Sequence, residues 1–507
     1  MFRKVLIANR GEIACRIAAS LHEMGIRCVA VYSEADRGAL HTRLCDEAYD
    51  IGAAEPRASY LNVEAILAAT RHSGAEAIHP GYGFLAENAG FARAVEAAGL
   101  TFIGPAPEQI EAMGDKRAAR RIAVEAGVPV VPAAEGEDPA ALAAGALKVG
   151  YPVIVKAALG GGGKGMRVVS DEAALLEAVG STARLASSAF GDGAVYVEKR
   201  LERARHVEVQ ILGDGRGNAV HLFERECSLQ RRHQKVIEEA PSPAIGEDLR
   251  DRMTSAALRL AKAVRYRGAG TVEMLVADDG RFHFLEMNTR LQVEHPITEL
   301  ITGHDLVRAQ LEVAARGSLP FDQGEIRRHG HAIEARVYAE DAAAGFLPQA
   351  GIASRVGWPH GPFVRVDRGI ETGDAVAVHY DPLLAKIVAY GATREAALAR
   401  LVAALDAARV HGVITNLPFL RALARSREVA GGRYDTEWIE REFVAGFTAL
   451  ANAPVPALAL AAAAIADAIG ADRAGEDGAS IPPRAAECGA AAPFETLGRW
   501  RHPGLGE

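Results

Sequence analysis

The chain has 507 residues, of which 49% are apolar and 24% charged, and its formal net charge at pH 7 is −8. At about 150 residues per domain this length allows about three domains, and the apolar content excludes disorder throughout the chain. The acidic balance argues against a protein that coats nucleic acid or anionic lipid, so we expect neither a nucleic-acid nor a membrane partner.

The five cysteines occur at positions 15, 28, 45, 227 and 488, without a Cys-x-x-Cys pair. An odd, scattered set in a long chain is typical of reduced thiols in a cytoplasmic protein. The apolar stretch 5–8 is too short for a signal peptide, and the longest apolar run, 457–466, is too short to span a bilayer. The sequence therefore predicts a soluble, cytoplasmic protein.

The first part of the chain alternates between predicted strands and helices. Strands are predicted at 5–8, 28–32 and 101–103. Helices are indicated by Ile13, Ile17, Leu21 and Met24, by Leu61, Ile66, Leu67 and Thr70, and by the segment 87–98. This alternation predicts a parallel sheet with helical crossovers, in a unit that ends near residue 112.

Two further units and a tail follow. We expect the second unit at 113–325, with a small lobe at about 130–202, and the third at 326–446, closing in a helical pattern around 393–409. Ala, Pro and Gly dominate 447–507, which predicts one short helix and then a linker.

A glycine run is the strongest local motif. The predicted strand 153–155 ends at Lys156, and Gly160–Gly163 lead into Lys164. Glycines let backbone N–H groups approach phosphate oxygens, which a side chain would obstruct. The run lacks the Walker pattern, and the first strand–helix turn lacks the dinucleotide fingerprint. A flexible linker would also be rich in glycine, but a buried strand and two lysines flanking the run favour a phosphate loop.

A second motif places polar residues at every second position. These are Glu286, Asn288, Arg290, Gln292 and Glu294. In an extended chain all five would lie on one face. Glutamate and asparagine oxygens suit a hard cation such as Mg²⁺, and Glu273 in the preceding strand is placed to supply a second carboxylate. The alternative is a solvated edge strand with surface ion pairs.

Other polar groups are ambiguous on their own. Arg231, Arg232, His233 and Lys235 form a basic cluster that a charged solvent face explains equally well. Lys116 starts a predicted helix, near whose N-terminus an anion would be stabilised. The pair Glu198-Lys199 carries little information by itself.

Together these segments resemble the biotin carboxylases of the ATP-grasp superfamily. The strings IANRGEIA, HPGYGFLAEN, GDK, GGGGKGM, RHVEVQ, QRRHQKVIEEAP, EMNTRLQVEHPITE and EARVYAED occur in the family's order, over about residues 1–446. The resemblance implies an α/β protein with a pre-ATP-grasp (Rossmann-like) domain, an ATP-grasp domain with a mobile glycine-rich lid, and a C-terminal biotin carboxylase domain.

The resemblance also implies roles for individual residues. ATP contacts are expected at Lys116, Lys156, Gly161, Gly162, Gly163, Glu198, Lys199, Leu201, His206, Gln230, His233 and Leu275. Ligands of Mg²⁺ (or Mn²⁺) are expected at Glu273, Glu286 and Asn288, and bicarbonate contacts at Lys235, Arg290, Gln292, Val293 and Glu294. Glu294 would be the general base, and Arg336 would bind biotin and, with Arg290, stabilise its enolate. Lys235, Arg290, Glu294 and Arg336 form the implied catalytic set.

The implied reaction is the ATP-dependent carboxylation of biotin through carboxyphosphate, the first half-reaction of an acyl-CoA carboxylase. No Met-Lys-Met string occurs in the sequence, so we expect biotin to be a substrate attached to a carrier domain or protein, not to this chain. The string APFETLGRWRHPG resembles the region that follows this domain in acyl-CoA carboxylase α subunits. A carboxyltransferase subunit and a homodimer are further implied partners.

Two alternatives stay open. Another ATP-grasp ligase, such as one that makes carbamoyl phosphate, would share the ATP residues but would depend on ammonia or glutamine instead of biotin. A non-catalytic nucleotide-binding subunit would have no need of the catalytic set.

Overall fold

The computed structural model describes residues 1–136, 138–158, 166–190 and 193–453. The predicted phosphate loop at 160–165 and the helix and linker predicted after residue 453 lie outside these ranges. Met1–Thr448 forms one compact unit, and the second unit, Ala449–Glu507, is described only as far as residue 453. Within the described residues, no helix combines the length and apolar character that crossing a membrane requires.

The N-terminal region contains the predicted parallel sheet. Its strands are β1 (Lys4–Ile7), β2 (Arg27–Tyr32), β3 (Glu47–Asp50), β4 (Ala77–His79) and β5 (Thr101–Phe102), in the order β3-β2-β1-β4-β5. Its helices are α1 (Gly11–Glu23), α2 (Leu40–Leu44), α3 (Val63–Ser73), α4 (Ala89–Ala97) and α5 (Pro107–Gly114). The central strand β1 is buried, as expected when helices cover both faces of a parallel sheet.

Asparagine caps set two helix starts that periodicity placed too early. The Asn62 side chain accepts the Ala65 N–H at 3.1 Å, so α3 begins at Val63 and excludes Leu61. Asn88 caps α4 in the same way through the Phe91 N–H at 2.8 Å.

A small antiparallel sheet follows the helix α6 (Lys116–Glu125). Its described elements are β6 (Ala133–Ala134), α7 (Pro139–Val149), β7 (Val153–Ala157), β8 (Met166–Val169), α8 (Glu172–Phe190) and β9 (Val195–Lys199). The strand order is β6-β9-β7-β8. This segment corresponds to the lobe that the sequence predicts at about 130–202.

The rest of the described chain contains one long sheet and several short strand pairs. Its strands are β10 (Arg205–Asp214), β11 (Ala219–Arg231), β12 (Gln234–Ala240), β13 (Arg267–Val276), β14 (Phe282–Asn288), β15 (His331–Tyr338), β16 (Glu340–Asp341), β17 (Leu347–Pro348), β18 (Gly351–Ile352), β19 (Arg355–Gly357), β20 (Val364–Arg368), β21 (Ala375–Val376), β22 (Leu383–Gly391) and β23 (Arg409–His411). Its helices are α9 (Glu247–Ala263), α10 (His295–Thr302), α11 (Leu306–Arg316), α12 (Arg394–Ala407), α13 (Leu417–Ala424), α14 (Arg427–Ala430) and α15 (Val444–Ala451).

The long sheet joins the predicted second and third units. Among the described residues it has eight antiparallel strands in the order β14-β13-β10-β11-β12-β15-β22-β20. The junction is the pairing of β12 with β15, where Glu238 lies opposite Glu334. On the far half of the sheet, apolar residues of α12 and α13, among them Leu401, Leu405 and Phe419, form a buried core with Ile387 of β22.

Candidate active site

Two neighbouring strands supply a pair of carboxylates. β13 and β14 are antiparallel, and their register places Glu273 directly opposite Glu286. The Asn288 amide donates to Glu273 Oε1 at 2.8 Å. Burial and the charge of Glu273 raise the pKa of Glu286. Burial also opposes ionisation of Glu273, but the charges of Lys235 and His206 outweigh it and hold the pKa of Glu273 below its ordinary value. These oxygen donors fit a hard divalent cation.

Glu294 is buried between two cations. Its Oε1 accepts from Lys235 Nζ at 2.6 Å, and its Oε2 accepts from Arg336 Nη2 at 2.9 Å. Lys235 Nζ also donates to Glu208 Oε2 at 2.6 Å and to Glu273 Oε1 at 3.1 Å. Burial favours the neutral acid, yet Lys235 and Arg336 lower the pKa of Glu294 well below its ordinary value. The Glu294 carboxylate is therefore ionised, and Lys235 links it to Glu273 of the carboxylate pair.

The extended face predicted over residues 286–294 is wrong beyond Asn288. There β14 ends, and the chain turns into α10, for which Glu294 is the N-cap residue. The side chains still meet, because Arg290 donates to Asn288 Oδ1 and to Gln292 Oε1, each at 3.0 Å. Gln292 in turn donates to Glu273 Oε1 at 3.0 Å.

A bulge in β12 aligns groups that plain alternation would separate. Leu229 pairs with Ile237 but Gln230 pairs with Lys235, so β12 has one extra residue at this point. Lys235 and Glu238 would otherwise project from opposite faces. Instead both reach the site, because Arg336 lies between Glu294 and Glu238, with Arg336 Nε 2.5 Å from Glu238 Oε1.

The residues expected to contact ATP occupy two neighbouring places. Lys156 on β7 and Glu198 on β9 form a buried ion pair in the small sheet. Lys116 begins α6, and its pKa is lowered by burial and by the charge of Lys156. On the long sheet, His206 Nε2 lies 3.1 Å from Glu273 Oε2.

The remaining expected ATP contacts are less closely connected. Lys199 donates to the Gly150 and Tyr151 carbonyls, both at 2.9 Å, so backbone groups already hold its ammonium. Leu275 on β13 pairs with His206, and Gln230 on β11 is buried. Leu201 is half-buried, and His233 is exposed in the β11–β12 turn. Gly161, Gly162 and Gly163 lie outside the described residues.

Sequence reasoning missed a set of buried groups beneath the site. Arg225 donates to Glu208 Oε1 at 2.6 Å, to Gln210 Oε1 at 2.7 Å and to Thr271 Oγ1 at 3.0 Å. Glu208 is thereby shared between Arg225 and Lys235. The alternation of His206, Glu208 and Gln210 in RHVEVQ is the pattern that could have found them.

Two further residues that were not singled out support the loop 289–294. Glu87 accepts from Arg290 Nε at 2.8 Å and from the Thr289 N–H at 3.0 Å. Lys386, fully buried on β22, donates to the Val293 carbonyl at 2.9 Å. Both lie far from this loop in sequence, so local patterns could not indicate them.

Three features together define an ATP-grasp enzyme. They are the Rossmann-like parallel sheet, the small antiparallel sheet with its buried lysine–glutamate pair, and the site of carboxylates, lysine and arginine on the long antiparallel sheet. Family models agree with this class. Those for "Biotin carboxylase, N-terminal domain", "Carbamoyl-phosphate synthase L chain, ATP binding domain" and "Biotin carboxylase C-terminal domain" match residues 1–110, 115–321 and 334–441, respectively.

Individual proteins are also similar. Methylcrotonoyl-CoA carboxylase subunit alpha, mitochondrial, of Dictyostelium discoideum is 50% identical over 439 residues, which are 86% of this chain and 63% of that protein. The chain thus spans less than two thirds of that relative. The biotin carboxylase of Campylobacter jejuni, solved as a β,γ-ATP complex, is 42% identical with a TM-score of 0.85, over 87% of this chain and 99% of that one.

A third match comes from Hydrogenobacter thermophilus. The biotin carboxylase domain dimer of its 2-oxoglutarate carboxylase, solved with MgADP, ADP and bicarbonate, is 43% identical with a TM-score of 0.84. This match covers 87% of this chain and 97% of that one. The chain belongs to the biotin carboxylase family, whose members are ATP-dependent ligase-type enzymes. The fold and the enzyme class implied by the sequence motifs are confirmed.

Proposed function

We propose that this chain carries out the first half-reaction of an acyl-CoA carboxylase, in which ATP and bicarbonate carboxylate biotin presented by a carrier domain or protein. The observation that carries the proposal is the position of Glu294, buried between Lys235 and Arg336 and joined through Lys235 to Glu273. The Glu273 end of this network suits a divalent cation bound to the phosphates of ATP. The Glu294 end suits an acid–base step on a small anion.

Lys235, Arg290, Gln292 and the Val293 backbone hold bicarbonate, and Glu294 removes its proton. In the free protein Lys235 and Arg336 keep the pKa of Glu294 low despite its burial. A bound anion takes up part of that positive charge, so Glu294 becomes a stronger base when its substrate is in place. A bicarbonate oxygen then attacks the γ-phosphorus of ATP, the bond to ADP breaks, and carboxyphosphate forms.

Lys116, Lys156 and His206 neutralise and orient the phosphates of ATP during this transfer, which depends mainly on positioning and charge. A divalent cation, Mg²⁺ or Mn²⁺, held by Glu273, Glu286 and Asn288 would supply further charge neutralisation there.

Carboxyphosphate then breaks down to CO₂ and phosphate. The phosphate takes the N1 proton of biotin, and the resulting enolate attacks CO₂ to give N1-carboxybiotin. Arg336 and Arg290 stabilise the enolate oxygen, which is the charge that develops in this step. Both are guanidinium groups and therefore stay protonated throughout.

The proposal includes partners and a location. A carboxyltransferase subunit would consume the carboxybiotin, and a homodimer is supported by the dimer named for the Hydrogenobacter relative. A cytoplasmic location is supported by the free state of Cys15, Cys28, Cys45 and Cys227 in the described part of the chain.

ADP release by the purified chain tests the function. With Mg²⁺, ATP and bicarbonate, we expect free biotin to stimulate ADP release, and we expect the stimulation to disappear without bicarbonate. Glu294→Gln should lower the stimulated rate about 100-fold or more, because a general base contributes at least that factor. Stimulation by ammonia in place of biotin would instead identify a carbamoyl-phosphate-type ligase.

A further inference from the structure

Several side chains of the kinds that bind metal ions lie together in the N-terminal region, apart from the active-site residues. His22 is in the last turn of α1, Cys28 is in β2, and Asp46 directly precedes β3. Three separate segments thus meet at one end of the parallel sheet. None of these three residues takes part in the hydrogen bonds described above for Glu294 and Glu273.

The ligand atoms are already arranged around a common point. His22 Nε2 lies 3.2 Å from Cys28 Sγ and 3.2 Å from Asp46 Oδ2, and all three atoms lie within 4.8 Å of one another. In a tetrahedral Zn²⁺ site, with bonds of about 2.0 to 2.3 Å, neighbouring ligand atoms are about 3.5 Å apart. The cluster would therefore need only small shifts to enclose an ion.

Cys28 supplies a sulfur ligand. It is a free cysteine. The thiolate is the form that binds metals, and imidazole, thiolate and carboxylate together are ligands that Zn²⁺ accepts.

The surroundings also favour a cation with access from solvent. The side chains of His22 and Asp46 are 45% and 38% exposed, whereas Cys28 is buried, so the cluster is open on one side. The C-terminal end of the 13-residue helix α1 carries partial negative charge beside His22. The Asp46 carboxylate is held in place because Oδ2 also accepts the Cys28 N–H at 2.8 Å.

We propose that His22, Cys28 and Asp46 form a site for a divalent transition metal that prefers sulfur and nitrogen ligands, Zn²⁺ above all. The ion would fasten the end of α1 to β2 and to the segment entering β3. Its chemistry differs from that of the oxygen-donor pair Glu273 and Glu286, so the two sites select different metals.

Cobalt substitution in the full chain tests the proposal. Co²⁺ added to the reduced, metal-free protein should give thiolate-to-cobalt absorption, and stoichiometric Zn²⁺ should abolish it. Cys28→Ser should lose this absorption. Cys227→Ser is the control and should keep the absorption. Cys227 Sγ lies 3.9 Å from Glu294 Oε1, so it would be the sulfur involved if cobalt entered the active site.

A second measurement covers the case in which Cys28→Ser folds poorly. His22→Asn changes an exposed side chain and should unfold like the parent protein without metal, but its Zn²⁺ affinity should fall at least about tenfold. Zn²⁺ should raise the unfolding temperature of the parent and not that of His22→Asn. Cobalt absorption that survives in Cys28→Ser, equal Zn²⁺ affinity in His22→Asn, or reduced protein that binds no Zn²⁺ would each overturn the proposal.

Discussion

At the scale of single residues, the site is organised around carboxylates that have different charged neighbours. Glu294 faces Lys235 and Arg336, whereas Glu286 faces Glu273 across the strand pair. The pKa of Glu294 is lowered, and that of Glu286 is raised. Carboxylates whose pKa values move in opposite directions in one site are suited to different tasks, which we propose are proton removal by Glu294 and cation binding by Glu286.

Arg290 is expected to act on the small substrates and not on the nucleotide. Its guanidinium contacts Glu87, Asn288 and Gln292, whereas Lys156 and Glu198 pair with each other in the small sheet. Arg290→Ala should therefore reduce biotin-dependent ADP release by about 100-fold, the order of effect of one preorganised donor. Nucleotide affinity, measured by calorimetry, should stay within a few-fold of the parent. Arg252→Ala, on the exposed side of α9, is the control, and an equal loss of nucleotide affinity in Arg290→Ala would show that its role is misassigned.

Glu286 is expected to bind the divalent cation. Glu286→Gln removes one negative charge from the pair with Glu273, so the Mg²⁺ concentration for half-maximal ADP release should rise about tenfold or more. Glu247→Gln, an exposed change on α9, should leave the titration unaltered. A Mg²⁺ curve for Glu286→Gln that superimposes on that of the parent would remove Glu286 from the metal site.

Because of Glu238, we expect the free energy of unfolding to fall as the pH rises. Burial raises its pKa from about 4.5 to about 7, although Arg336 partly opposes this. Between these values the native chain holds a proton that the unfolded chain has released, so stability from this group is present at pH 4.5 and is lost by pH 7. A pKa that differs by one between the folded and unfolded chains changes the free energy of unfolding by about 1.4 kcal/mol.

Urea unfolding at several pH values measures this effect. Glu238→Gln should flatten the decline between pH 4.5 and 7. Glu334, opposite on β15, also has a raised pKa because of burial, so the double variant should flatten it further. The exposed Glu64→Gln is the control. A parallel decline in the parent and in Glu238→Gln would mean that Glu238 is ionised in the native state.

At the scale of elements, β10 passes close to the chain that enters β13. A Cβ added at Gly213 would lie 2.1 Å from the Tyr266 carbonyl oxygen. Gly213→Ala should therefore push β10 away from β13, at a cost of about 3 kcal/mol or more in the free energy of unfolding. The measurement is the urea midpoint.

Gly114→Ala is the matched control for Gly213→Ala. Gly114 ends α5, and nothing lies within 4 Å of an added Cβ, so this change should alter stability by no more than about 1 kcal/mol. Equal midpoints for the two variants would mean that β10 and its neighbour yield without strain.

Some of these elements could be predicted from the sequence, and others could not. The alternation of strands and helices predicted the first sheet, and the position of Glu273 in the strand before Glu286 predicted a second carboxylate nearby. Both predictions depend on patterns within short stretches of sequence. The bulge in β12 and the end of β14 at Asn288 were not predictable, because each depends on partners distant in sequence. The burial of Arg225 with Glu208 depends equally on strand pairing.

At the scale of the whole molecule, the long sheet crosses the boundary predicted near residue 325. β12 pairs with β15 along four residues, and Arg336 reaches Glu294 from beyond that boundary. A chain ending at residue 325 would leave β12 as an unpaired edge and would lose one partner of Glu294. Unpaired edges favour aggregation.

A chain ending at residue 325 should therefore be mostly insoluble, whereas one ending at 448 should unfold in a single transition. Soluble yield and thermal unfolding followed by circular dichroism measure this directly. A soluble 1–325 chain with a cooperative transition would show that β12 does not need β15.

The continuity of this sheet also constrains inheritance. A recombination event between β12 and β15 would separate Lys235 from Arg336, so Glu294 would stay with only one of its two cations. Events outside Met1–Thr448 would transfer both together. Genes that pair this catalytic unit with new downstream partners are therefore expected to carry it as an undivided cassette, and its presence in carboxylases named for methylcrotonoyl-CoA and for 2-oxoglutarate accords with that expectation.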